Sequence, residues 1–138
     1  MKKKLAEMPD SLFASIERTP CYGKCPVYGA YVYKSGYATW NGRMNTEKVG
    51  EFTTRISKED MAKIADKARS IDYVNLKSEY NSDVTDLPSV YTQLSLDGKK
   101  KAIKSRHNVP IGLREYEKFL DEILSAQKWT LVKALEKK

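Results

Sequence analysis

Histidine is nearly missing from this chain of 138 residues: His107 is the only one, and cysteine occurs only at Cys21 and Cys25. A tetrahedral zinc site needs four protein donors, and two cysteines with one distant histidine do not supply them. The Cys-x-x-Cys spacing of a redox dithiol at a helix N-terminus is also missing, because the cysteines stand four apart and no helical pattern follows them. No apolar run approaches membrane-spanning length, and residues 1–12 begin basic without the apolar stretch of a signal peptide. The acidic stretch with Glu79, Asp83 and Asp86 lacks the ligand spacing and the glycine of a calcium loop, so its acids read as solvated or capping groups. No nucleophile is matched with a base to activate it, and no signature of a nucleic-acid-binding module is present.

What the chain does contain is the run Arg18-Thr19-Pro20-Cys21-Tyr22-Gly23-Lys24-Cys25-Pro26-Val27-Tyr28, with both cysteines between two prolines. Each proline forces the residue before it, Thr19 or Cys25, into extended geometry, and Gly23 allows a tight reversal. In such a bent loop, cysteines four apart fall within disulfide reach, so a turn pinned by a Cys21–Cys25 bridge is the leading reading. Closing a loop that short contributes about 2 kcal/mol in the chain-entropy account. Two buried free thiols of a cytosolic protein, a redox pair and part of a metal site stand behind it in that order.

The run Glu17-Arg18-Thr19-Pro20-Cys21-Tyr22-Gly23-Lys24-Cys25-Pro26-Val27-Tyr28 resembles the opening motif of the bacterial domain of unknown function 6438. Thr85-Asp86-Leu87-Pro88 before a strand, and a closing helix after Pro110, are similar to that family too. The resemblance spans residues 11–126. It implies an α+β domain found largely in exported or envelope proteins, with no activity attached to it.

The length fits one domain. Residues 1–10 read as a flexible lead-in, 11–126 as a single α+β domain and 127–138 as a C-terminal helical extension, either a continuation of the last helix or a short one starting near Trp129. Apolar alternation predicts strands over 11–18, 27–34, 37–42, 49–56, 89–96 and 99–106, joined by turns at Ser35-Gly36 and Asp97-Gly98. Ser57 caps a helix whose core face is Met61, Ile64, Ala65, Ala68 and Ile71, and Pro110 opens another that buries Leu113, Tyr116, Leu120, Ile123 and Leu124. The fold expected is therefore α+β, a mainly antiparallel sheet with two helices packed on one face in the order β-β-β-β-α-β-β-α. Between residues 72 and 88 the periodicity lapses, and Tyr73, Leu76 and Tyr80 anchor a long connection.

Net charge is +7, but lysines at the two ends supply more than half of it. The lysines from Lys99 to Lys104, with Arg106, read as the defence of an exposed edge strand, with anion or nucleic-acid binding as the competing reading. The tyrosine-rich sheet points to a recognition surface, its outer face presenting Tyr28, Tyr31, Tyr33, Tyr37, Trp40 or Tyr91 according to register. Its candidate residues are Arg18, Tyr22, Lys24, Tyr28, Tyr31, Tyr33, Trp40 and Asp86, with Asp86 a candidate partner for Arg18. No catalytic residue, metal ligand or cofactor is implied. The leading function is a non-catalytic, disulfide-stabilised binding or interaction domain of the bacterial cell envelope, periplasmic or outer-envelope, monomeric or weakly dimeric. Another envelope protein or a cell-surface polymer is the expected partner. A thiol-dependent enzyme or redox protein using Cys21 and Cys25, and nucleic-acid or anion binding through residues 99–106, are the alternatives. A native start at Met1 favours the cytoplasm instead.

Overall fold

Strand alternation organises the chain. The computed structural model describes residues 11–21, 23–81 and 88–133; the lead-in at 1–10, Tyr22 and Asp86 lie outside them. Strands β1 (Leu12–Arg18), β2 (Val27–Tyr33), β3 (Tyr37–Met44) and β4 (Gly50–Arg55) are followed by helix α1 (Lys58–Ser70) and a 3₁₀ turn at Tyr73–Asn75. Then come β5 (Glu79–Tyr80), β6 (Val90–Leu96), β7 (Lys99–Ser105), α2 (Ile111–Ser125) and β8 (Thr130–Lys133). One sheet holds all eight in the order β5-β7-β6-β1-β2-β3-β4-β8. Its pairings are antiparallel except that of β5 with β7.

Local chemistry accounts for the turns and caps. Gly36 takes φ +93°, and a Cβ there would sit 2.8 Å from the Ile56 carbonyl oxygen, so the β2–β3 turn requires glycine. Asp97 and Gly98 both take positive φ, which matches the twist of the β6–β7 hairpin. The Ser57 hydroxyl accepts the Asp60 backbone N–H at 3.1 Å and caps α1.

One face of each central strand shares its core with the helices. Ala14 and Ile16 of β1, Tyr28, Ala30 and Val32 of β2, Ala38 and Trp40 of β3 and Leu94 of β6 cluster with Ile64, Ala65 and Ala68 of α1 and Leu113, Tyr116, Leu120 and Leu124 of α2. Ile123 is only partly buried, and the α2 face also buries Glu117, which no apolar pattern announces. Glu117 is held by Ser105 Oγ at 2.5 Å and Arg114 Nη1 at 2.9 Å, so the buried carboxylate has its partners.

The structure corrects the expected order at two places. Residues 79–80 form β5, a two-residue strand parallel to the end of β7, inside what reads as a connection. It covers Lys104 and Ser105, so among the described residues only the first part of β7 lies at an edge. Residues 130–133 are a strand, not helix. After α2 ends, the Trp129 indole N–H bonds the Leu124 carbonyl at 2.8 Å and its ring packs 5.7 Å from that of Trp40. Thr54 Oγ1 donates to the Lys128 carbonyl at 2.8 Å, which delivers the chain to the open side of β4. The unpaired N–H and C=O groups of that edge then select extended backbone over a further helical turn.

Candidate functional site: a groove on the outer sheet face

Ladder register places four side-chain positions in one line across the sheet: Tyr91 opposite Glu17, Glu17 opposite Gly29, and Gly29 opposite Asn41. These point away from the helices, because Ile16, Ala30 and Trp40 beside them point into the core. Tyr31 and Arg43 stand two residues further along β2 and β3 on that same outer side. Together with Thr19, Pro20 and Val27, and with Arg18 and Tyr28 at the rim, they line a hollow of about 390 Å³.

Gly29 makes the hollow. A Cβ there would lie 3.3 Å from Glu17 Cγ and 3.6 Å from Tyr31 Cε1, so both side chains lean over a position that any other residue would fill. The Lys104 ammonium lies 5.8 Å from the Tyr91 ring centroid and 3.9 Å from the Glu79 carboxylate. Asn41 is half-buried and Arg43 is exposed, and neither side chain has a hydrogen-bond or ionic partner among the described residues.

The cysteine loop forms one end of the groove. Cys21 and Cys25 are joined in a disulfide with their α-carbons 5.8 Å apart. On one side Thr19 and Ser89 clasp each other: the Thr19 N–H donates to the Ser89 carbonyl at 3.1 Å and the Ser89 N–H to Thr19 Oγ1 at 2.7 Å. On the other, Asn45 Nδ2 donates to the Cys25 carbonyl at 3.1 Å. The loop is thereby tied to β6 and to the end of β3, the strands that carry Tyr91 and Arg43.

Beneath this end lies a polar junction with α2. Arg18 Nη2 meets Asp121 Oδ2 at 2.5 Å, the Tyr28 hydroxyl donates to Asp121 Oδ1, and Arg18 Nε donates to the Tyr28 oxygen at 3.2 Å. Burial raises the Asp121 carboxyl above the ordinary carboxylate range, with the Arg18 charge pulling the other way. The partner of Arg18 among the described residues is thus Asp121, while Asp86 lies outside them.

Of the residues expected to form a recognition surface, Tyr31 sits in the groove, with Arg18 and Tyr28 on its rim. Tyr28 and Trp40, however, turn to the core side, 6% and 7% exposed, stacked with centroids 4.2 Å apart and planes 9° from parallel. They cement the sheet to the C-terminal segment and present little area to a partner. Tyr33 pairs with Tyr37 at 6.1 Å beside the β2–β3 turn, and Lys24 is exposed on the disulfide loop. Tyr91, one of the aromatics expected on the sheet face, lines the groove, whereas Gly29, Asn41 and Arg43 are absent from the expected surface. A glycine in the middle of an apolar strand is the signal that points to them, since it marks a place where something approaches the backbone.

The family model for a domain of unknown function, DUF6438, matches residues 13–124. No curated protein and no solved structure matches the chain.

Proposed function

Since the chain belongs to the DUF6438 family, whose description names no activity, we propose from its own geometry that it is a non-catalytic binding domain of the bacterial cell envelope that takes its ligand in the outer-face groove. The observation that carries this reading is the hollow over Gly29, walled by Tyr31 and Tyr91 and edged by Asn41 and Arg43. Its volume of about 390 Å³ falls within the range of small-ligand sites. Aromatic walls with a few polar groups give large contact area at small entropic cost.

The disulfide supports an oxidising compartment, the periplasm or the outer envelope, and an envelope protein or cell-surface polymer as partner. Joined to each other, the two sulfurs are not available as nucleophiles, which weighs against a thiol enzyme. A nitrogen-15 NMR titration with peptides and with fragments of surface polymers tests the reading. Shifts clustered at residues 17–19, 27–31, 41–43 and 91 are expected, and a ligand that moves only other residues overturns it. Alkylation of the protein as isolated from its own cells tests the compartment: both cysteines stay unlabelled until reductant is added, whereas free labelling refutes the envelope assignment.

A further inference from the structure

We infer that the groove's ligand is an acidic saccharide, a sugar ring bearing a carboxylate, and that Arg43 selects the charge; this rests on the groove being the binding site. The backbone gives the first reason. The strands under the groove, β6, β1, β2 and β3, are each paired on both sides, so no free row of N–H and C=O groups is offered to an extended peptide. Recognition is left to side chains, which favours a ligand read by its faces and hydroxyls over one read by its main chain.

The side chains supply the second reason. Tyr31 leans over the Gly29 floor beside Glu17, and Tyr91 lines the groove on the strand beyond Glu17; the electron-rich face of a phenol ring attracts the polarised C–H face of a pyranose. Asn41 offers an amide donor and an amide acceptor from one half-buried group without a side-chain partner among the described residues, the pattern that adjacent hydroxyls match. Arg43 is on the same strand and the same wall, likewise unpartnered among the described residues, and its planar fork matches a carboxylate in bidentate fashion. Lys24, exposed on the disulfide loop, adds attraction for a polyanion at a distance. A simple anion would leave the aromatic walls unused, and a neutral sugar would leave Arg43 unused.

The test uses the full chain with its disulfide intact. Trigalacturonate and short oligomers of hyaluronan and alginate are the acidic probes, galactotriose the neutral one, triglutamate the peptide control and inorganic phosphate the anion control. Calorimetry gives affinity and nitrogen-15 NMR gives location. At least one acidic saccharide should bind about 10-fold or more tightly than galactotriose, with shifts at Gly29, Tyr31 and Tyr91. Arg43→Gln should erase that preference, while Gly29→Ala, which adds one methyl to the floor and no charge, should weaken acidic and neutral sugars together. If galactotriose binds as well as the acids, if Arg43→Gln changes nothing, or if triglutamate or phosphate alone shifts these residues, the saccharide inference falls while the groove remains the site. If no probe moves the groove residues, the inference and the site assignment fall together.

Discussion

Removing the Asp121 carboxylate tests how the disulfide end of the sheet is held to α2. Asp121 receives Arg18 at 2.5 Å and the Tyr28 hydroxyl, and the Arg18 and Asp121 side chains keep 21% and 31% of their exposure. Breaking a fully buried pair costs roughly 3–5 kcal/mol, and an exposed one less than about 1 kcal/mol. This mostly buried pair lies between those limits, so Asp121→Ala should cost about 2–3 kcal/mol, and Asp121→Asn, which keeps an acceptor for one donor, about 1 kcal/mol. The pH dependence has a definite sign. Burial raises the folded-state pKa above the ordinary value of 3.8, so the folded chain holds this proton more tightly than the unfolded chain does. The group's contribution is full below the unfolded value and is lost as pH rises through the folded one. Asparagine has no such titration, so the Asp121→Asn penalty should be larger near pH 4 than near pH 7. Urea unfolding followed by tryptophan fluorescence at both pH values measures it. An Ala penalty under about 0.5 kcal/mol, or an Asn penalty that grows with pH, refutes the reasoning.

The Cys21→Ser/Cys25→Ser double variant should lose about 2 kcal/mol, the closure entropy of a five-residue loop, and an unchanged urea midpoint would contradict that. Tyr116→Phe should be neutral or stabilising by up to about 1 kcal/mol, because the Tyr116 hydroxyl is buried with no partner among the described residues. Tyr73→Phe should cost about 1–2 kcal/mol, since it strips Thr92 Oγ1 of its 2.7 Å bond; the opposite ranking in thermal unfolding would sink the assignment. Burial raises both the Tyr73 and Tyr116 phenols, so their contribution is lost as pH climbs through the folded-state values, and two of the nine tyrosines should ionise only as the circular dichroism collapses. Nine phenols titrating smoothly in a folded protein would exclude this.

Much of the sheet could be read in advance because its strands alternate. The parity of Ala14 and Ile16 identifies the core face of β1, while a bulge between Leu12 and Ala14 takes Leu12 out of that alternation and lets Phe13 pack against the core; Ser35-Gly36, Ser57 and Pro110 mark ends by local chemistry. β5 escaped because two residues carry no period, and its parallel pairing depends on where β7 lies. β8 escaped because Thr130–Lys133 becomes a strand through an edge provided by β4, far away in sequence. The candidate site was half legible. Tyr31 was found, but Tyr28 and Trp40 were grouped with it by residue type, although the parity they share with Ala30 and Ala38 sends them to the core. Asp121, 103 positions from Arg18, leaves no local trace. Gly29 did leave one, as a small residue where a central strand prefers a large one.

The ring contact that seats β8 also gives the molecule an optical readout. Trp40 and Trp129 are the chain's two tryptophans, and their centroids lie 5.7 Å apart. At that distance their indole transitions couple, so the spectrum carries an exciton signal belonging to the junction of β3 with the segment leading into β8. That signal reports the seating of Trp129 against β3, and it disappears when the segment leading into β8 lifts away even while the rest of the sheet stays folded.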